Sequence, residues 1–373
     1  MSQERFIRCP HCGLPHEASA TECPIEGKAI ERKPVSKKLQ PPPSSPVWKT
    51  PIPDPDSEID NDPSPSVTRL FGMVLDDKYR IDELIGKGGM GVVYRGEHQR
   101  LKKPVAIKVL LRGHEEGSVA QRRFEREARA AGGLGHPNIC QAFDIGNLPD
   151  GSPYLVMELL EGRTLADRLA IEGPLPLEEA CDVLADVLSA LHAAHEGSIV
   201  HRDLKPDNVF LTPKGAKLLD FGVSRKIDEN TMRVTRTGAV VGTPSYLAPE
   251  QARGDGDVDR RADLWAAGVL LYETLTGMLP FTASNYNALL VKILTRKPTP
   301  PSHIRPAISP ELEQVILKAM AFERDDRFAD AATMREALLE ARAQPPGVAP
   351  IPSEILERSE RFTREDTHET LDD

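Results

Sequence analysis

Long apolar runs are missing from this sequence. Nowhere does it approach the roughly 18 consecutive apolar residues that a membrane-spanning helix needs. The N-terminus, MSQERFIRCPHCG, also lacks the apolar stretch of a secretory signal, so a cytoplasmic location with no transmembrane segment is the expectation. Aromatic residues are scarce at 5% while prolines number 33 among 373 residues, so part of the chain is not expected to pack. Basic charge is not in excess: 47 Lys and Arg against 57 Asp and Glu leave a net charge of −10. That balance excludes a nucleic-acid-binding surface spread over the whole molecule, and nucleic acid is not an expected partner. Cysteines number only five, and Cys9, Cys12 and Cys23 crowd one end. An odd count with that crowding favours a metal site over a disulfide framework.

What is present falls into zones, and the length gives a prior of about two domains. Residues 1–30 are short, turn-rich and hold the clustered cysteines. Residues 31–70 carry PPPSSP and PIPDPDSEIDNDPSPS, which can build neither helix nor ladder; a disordered, semi-rigid linker is expected there. Residues 79–342 have globular composition, and residues 343–373 form a charged tail expected to be disordered, or one marginal helix at SEILERSERFTRED. No internal repeat is found.

Within the globular zone, KYRIDELIG and GVVYRGEH read as strands around a glycine turn, and PVAIKVLL and YLVMELL as buried strands. QRRFEREARAAGGL reads as a charged helix, and LEEACDVLADVLSALHAAHEGS has apolar residues at helical spacing up to Gly197. Beyond Phe221 helices dominate: ADLWAAGVLLYETLTG, SNYNALLVKILT, SPELEQVILKAMA and FADAATMREALLEARA. Strands early and helices late imply an α+β fold in two lobes, a small β-rich one and a larger helical one, with a cleft between them.

Three constellations carry chemistry. Gly86, Gly88 and Gly91 form G-x-G-x-x-G within Ile85, Gly86, Lys87, Gly88, Gly89, Met90, Gly91, Val92 and Val93. Glycine lets a backbone approach phosphates closely, and the strand–turn–strand context disfavours a dinucleotide-binding turn, which would precede a helix. Lys108 closes Val-Ala-Ile-Lys on an apolar strand. It either snorkels to water or holds a phosphate while paired with a carboxylate from FEREARA, Glu127 or its competitor Glu125. Most specific is His201-Arg-Asp-Leu-Lys-Pro-Asp-Asn208, followed by Asp220-Phe-Gly222. Asp203 can orient a hydroxyl and accept its proton, Lys205 can neutralise a transferring phosphoryl group, and Asn208 with Asp220 offers the hard oxygens magnesium prefers.

With these motifs in order, and Ala248-Pro249-Glu250 after them, the chain resembles the eukaryotic-like (Hanks-type) protein kinases over residues 79–342. GKGGMGVVY, HRDLKPDN and GTPSYLAPEQARG bring it nearest the bacterial serine/threonine kinases. The resemblance implies transfer of the γ-phosphoryl group of ATP to serine or threonine hydroxyls of protein substrates, its own activation loop among them, with Mg2+ or Mn2+. The glycine loop would cover the phosphates, and Lys108, paired with Glu127, would hold the α- and β-phosphates. Asn208 and Asp220 would hold the metal, Asp203 would orient the hydroxyl, and Lys205 would sit at the γ-phosphate. Met157 would be the gatekeeper, and the backbone from Glu158 to Leu160 would bond adenine. Lys205 and Thr243 favour serine and threonine over tyrosine. Asp263 and Trp265 resemble the helix supporting the catalytic loop, and Arg327 resembles the late arginine that pairs with Glu250.

Arg202 beside Asp203 is a reason to expect control by activation-loop phosphorylation, with Arg225 a second phosphate partner and Thr231, Thr235 and Thr237 the candidate acceptors. Cys9-Pro-His-Cys12 and Cys23-Pro-Ile-Glu26 look like a degenerate zinc ribbon holding structural Zn2+, with Glu26, His11 or His16 as the fourth ligand. Free thiols in an unfolded segment, or a redox role, are the alternatives. A regulatory protein could dock on the ribbon and Pro-rich linker. A pseudokinase, the rival from another class, would lack the lysine or an aspartate, yet Lys108, Asp203 and Asp220 are all present.

Overall fold

The computed structural model describes residues 6–8, 15–17, 70–88, 91–110, 132–220 and 244–344. Strands β1 (Phe6–Arg8) and β2 (Pro15–Glu17) pair antiparallel with Ile7 opposite His16, inside a compact unit spanning Met1–Ser45. Cys9, His11, Cys12, Cys23 and Glu26 lie outside the described residues, as do the expected charged helix up to residue 131, residues 221–243 and the tail beyond 344.

The second unit, Pro46–Asp373, contains the two lobes. Its first lobe is one antiparallel sheet: β3 (Val74–Leu75), β4 (Tyr79–Gly88), β5 (Gly91–His98), β6 (Lys103–Leu110), β7 (Ala142–Asn147) and β8 (Pro153–Glu158), in the order β3-β4-β5-β6-β8-β7. Successive residues of a strand face opposite sides. Val92, Tyr94, Val105, Ile107, Val109, Tyr154 and Val156 therefore share one apolar core, while Val93, Ala106 and Met157 face another. The sheet begins ahead of Tyr79, because β3 pairs with β4 and buries Leu75, with Leu70 and Met73 packed against the same core.

The second lobe is helical. It holds α1 (Leu165–Glu172), α2 (Leu177–Glu196), α3 (Pro249–Arg253), α4 (Arg261–Thr276), α5 (Tyr286–Thr295), α6 (Pro301–Ile304), α7 (Pro310–Ala319) and α8 (Ala331–Arg342). Side chains cap several starts: Thr164, Asn285, Ser309 and Asp330 each accept the backbone N–H three residues on, worth about 1 kcal/mol apiece. Helix α4 is buried on all sides, so it is the central helix rather than an amphipathic surface one. A Cβ at its Gly268 would come within 2.8 Å of the Ala319 methyl and 2.9 Å of Met320, so glycine sets how closely α4 meets the end of α7. A small sheet, β9 (Arg163–Thr164), β10 (Val209–Thr212) and β11 (Gly215–Leu218), caps this lobe beneath the first. Among the described residues no helix is long and apolar enough to cross a membrane.

Arg327 and Glu250 lock the α3–α4 region with two bonds of 2.8 Å between fully buried side chains. The other guanidinium donors reach the carbonyls of Ala321, Arg261 and Phe322, so all five N–H groups are satisfied. That complete satisfaction is what makes a buried charge pair tolerable.

Candidate active site

The period of the sheet aims the site residues. Ala106 and Lys108 are two apart on β6 and share a face; Met157 on β8 and Val93 on β5 face the same way. Beneath them Phe210 of β10 and Leu219 after β11 complete an apolar slot with Ile85, Cys140 and Leu160. This apolar cluster draws on both lobes. Burial pushes the Cys140 thiol up, so it acts there as a packing group. Over the slot, Gly86, Lys87 and Gly88 of β4 pair with Val93, Val92 and Gly91 of β5. A Cβ on Gly91 would fall 2.3 Å from the Val109 carbonyl oxygen, so only glycine fits this register. Gly89 and Met90 lie outside the described residues.

Lys108 reaches across the cleft to Asp220, Nζ to Oδ2 at 2.6 Å, with 12% of the lysine side chain exposed against 42% of the aspartate. Burial raises the Asp220 pKa, but the Lys108 charge and hydrogen bond, helped by His201 and Lys205, outweigh it, and the carboxyl lies below its ordinary value. Asp220 also sits at φ 42°, a left-handed conformation that costs an ordinary residue free energy and clusters at functional sites. Glu127 and Glu125 lie outside the described residues.

The loop from His201 to Asn208 is held from beneath. Asp263 of α4, almost fully buried, accepts the backbone N–H of His201 at 2.8 Å and of Arg202 at 2.7 Å. Two successive N–H groups converge on one carboxylate because Arg202 is at φ 63°, the kind of turn that makes a backbone anion cradle. His195, at the end of α2, donates from Nε2 to the same carboxylate at 2.8 Å, since an ionised carboxylate only accepts. His201 is wholly buried; its Nε2 meets the Leu219 carbonyl at 3.1 Å and its Nδ1 accepts the Asp203 N–H at 3.3 Å. The segment leading to Asp220 is thereby tied to the loop carrying Asp203. Gln251 of α3 adds a bond of 3.4 Å to the Arg202 carbonyl, and the Arg202 guanidinium donates to the Val258 carbonyl at 3.3 Å.

Around Asp203 the expected residues come together. Asn208 Nδ2 donates to the Asp203 carbonyl at 2.8 Å and its carboxylate at 3.4 Å, and Lys205 Nζ lies 3.4 Å from that carboxylate. With both amide hydrogens turned to Asp203, Asn208 presents Oδ1 as its free acceptor face. The Asn208 amide oxygen and the Asp220 carboxylate are both hard oxygen donors, the chemistry that magnesium or manganese takes.

Glu158 departs from the simple hinge picture. Its N–H is taken by the Gln141 carbonyl at 2.9 Å, and its side chain accepts from Gln141 N–H at 2.8 Å and Lys217 Nζ at 2.7 Å. Only its carbonyl is left for a nucleotide. Arg327 and Asp263 stand where the family resemblance puts them. Phe210, Leu219, His195, Gln141, Gln251 and Lys217 are contributions the sequence reading did not single out. A signal exists for two of them: Leu188, Leu191 and His195 fall at helical spacing on an apolar face, and Lys217 alternates with buried Ala216 and Leu218. Thr231, Thr235, Thr237, Arg225 and Thr243 lie outside the described residues.

A two-lobed fold with a lysine–aspartate pair across an apolar slot and an Asp–Lys–Asn loop below it matches known proteins. Residues 79–339 match the protein kinase domain family. The chain is 45% identical over 271 residues to serine/threonine-protein kinase Pkn1 of Myxococcus xanthus, covering 71% of this chain and 38% of that protein. It is 40% identical over 291 residues to serine/threonine-protein kinase PknB of Mycobacterium tuberculosis, covering 77% and 46% respectively. The chain thus spans about half or less of the length of these curated relatives. Among solved structures, the PknI kinase domain of M. tuberculosis aligns with TM-score 0.59 and 29% identity over 73% of this chain and 98% of that one. Rad53 1-466 in complex with AMP-PNP aligns with TM-score 0.57 and 26% identity, covering 70% of this chain and 64% of that one. This chain belongs to the protein kinase family.

Proposed function

We propose that the chain transfers the γ-phosphoryl group of ATP to serine and threonine hydroxyls of proteins, its own activation loop included, in bacterial signalling. The observation that carries this reading is the joint anchoring of Asp203, Lys205 and Asn208 beside Asp220, which faces Lys108 across the apolar slot. Adenine would occupy the slot between Ala106 and Phe210, bonded by the Glu158 carbonyl and the backbone to Leu160. The Ile85–Val93 hairpin would cover the phosphates. Lys108 would exchange Asp220 for the α- and β-phosphates, with Glu127, or Glu125, keeping it in place. Asp220 and Asn208 would hold Mg2+ or Mn2+, which when bound neutralises the phosphate charge. Asp203, fixed by Asn208, would orient the attacking hydroxyl and accept its proton, and Lys205 would meet the γ-phosphoryl oxygens. Catalysis on this plan is positioning and electrostatics. Such a phosphotransferase is expected to work in the cytoplasm, with residues 79–342 as its catalytic domain, a linker at 31–70 and a tail at 343–373.

The test is incubation with labelled ATP and magnesium. Wild type should label itself or a protein substrate on serine and threonine, and Asp203→Asn should lose about 10²–10⁴-fold in rate. Equal label in both would refute the assignment. Phosphorylation at Thr235 and Thr237, read through Arg202 and Arg225, is the proposed control.

The first unit has its own proposal. Cys9 and Cys12 fall in sequence between β1 and β2, the place of a zinc knuckle in a ribbon. With Cys23 and one of Glu26, His11 or His16 they would hold structural Zn2+, in a module that contacts a regulatory partner. Zinc content near zero in the purified full chain would end this reading.

A further inference from the structure

The peptide between Arg202 and Asp203 sets where the Asp203 side chain starts, and both of its polar ends are held. Its N–H, on Asp203, meets His201 Nδ1 at 3.3 Å. Its carbonyl, on Arg202, meets the side-chain amide of Gln251 at 3.4 Å. Arg202 is fastened on either side of that carbonyl too, its N–H to Asp263 at 2.7 Å and its guanidinium to the Val258 carbonyl at 3.3 Å. It adopts φ 63°, a costly conformation for a residue with a Cβ, which persists only where the surroundings over-determine it. Gln251 is the contributor from helix α3. It is 6% exposed, and both ends of its amide are used: Oε1 accepts the Ala248 N–H at 3.0 Å while Nε2 donates to the Arg202 carbonyl.

Gln251 stands at the third position of α3, where a glutamine or glutamate reaches back to the N–H ahead of the helix as half of a capping box. Capping accounts for Oε1 but not for Nε2, since an ionised glutamate caps equally well and has nothing to donate. The helix beneath Gln251 is itself fixed, because the neighbouring Glu250 is gripped by Arg327 in the sealed pair. A side chain on so rigid a support can hold a partner in one place. We propose that Gln251 is a positioning residue for phosphoryl transfer, acting through the Arg202 carbonyl to aim the Asp203 carboxylate at the attacking hydroxyl. The idea rests on the role given to Asp203 above. At 3.4 Å the contact is long for an N–H···O bond, so its effect on turnover is moderate.

Steady-state kinetics of the full-length chain separates aiming from capping. Gln251→Glu keeps the acceptor for Ala248 but sets a carboxylate oxygen against the Arg202 carbonyl, and Gln251→Met loses both contacts. Each should lower kcat by roughly 3- to 30-fold while KM for ATP and calorimetric Mg-ADP affinity stay within about twofold of wild type. On an Asp203→Asn background, Gln251→Glu should cost less than about twofold more, because its effect passes through that carboxylate. Should either variant fail to fold, Gln251→Asn, one methylene shorter, carries the same expectation. A mere cap would leave kcat of Gln251→Glu at the wild-type value and make Gln251→Met lose activity only in step with its unfolding midpoint. That pattern, a kcat loss matched by an equal loss of Mg-ADP affinity, or an undiminished loss on Asp203→Asn would each overturn the proposal. A wild type that transfers no phosphoryl group would instead bring down the reading of Asp203 itself.

Discussion

Lys108–Asp220 and Arg327–Glu250 are both cation–carboxylate contacts, at 2.6 and 2.8 Å, yet they belong to different kinds of structure. The second is sealed: both side chains are fully buried and every guanidinium N–H has an acceptor. The first stands at a cleft, with 42% of the aspartate side chain exposed and its backbone in a left-handed conformation. A sealed, satisfied pair has nothing to exchange and serves the fold. An open pair between groups that prefer phosphate and metal is a placeholder, and its lability is its use.

Three measurements would break or sharpen that contrast. Arg327→Met should have the largest effect on folding, about 3–5 kcal/mol in denaturant unfolding, because Glu250 would be left buried without its partner. A loss below about 1 kcal/mol would remove the distinction. Lys108→Met should leave stability within about 1 kcal/mol of wild type while cutting kcat/KM by roughly 10²–10³-fold, the usual effect of deleting one transition-state donor. A large stability loss there would put both pairs in the same class.

The smallest effect is on acid sensitivity. The Asp220 carboxyl lies below its ordinary value when folded, so its contribution is complete above about pH 4 and disappears as pH falls through the lower folded value. The stability difference between wild type and Asp220→Asn should narrow on acidification below about pH 4 and stay constant between pH 5 and 7. A difference that changed with pH across the neutral range would assign the effect to another group.

Much of the catalytic layout was legible because it is local. Asp203, Lys205 and Asn208 lie within six residues of one another, and the glycine hairpin announces itself by strand alternation around glycines. Helix α4 was plain as a helix, but its burial on all sides is a finding of the structure. The elements that went unnamed are short and bounded by breakers. Helix α1 runs only from Leu165 to Glu172, with Gly162 before it and Gly173 after. Strand β7 is an edge strand whose AFDIGN burial never becomes a clean alternation. Partner choice was the least legible feature. Nothing near Glu158 in the sequence points to Lys217, 59 positions on, and nothing near His195 points to Asp263, 68 positions on. Which face of the hinge strand Glu158 uses is decided by the register of β8 against β6 and β7, a property of the assembled sheet.

The anchoring of His201 and Arg202 by Asp263 has a consequence for the chain as it is made. The carboxylate that shapes the loop lies 62 positions after His201. A ribosome adding roughly 5–20 residues per second delivers the loop about 3–12 s before its anchor. Once Asp220 is made, 43 residues before Asp263, the nascent chain contains Lys108, Asp203, Asn208 and Asp220 but has no carboxylate beneath the loop to set them in register. Emergence of α4 then acts as a timer, withholding a working geometry until most of the second lobe is there to support it.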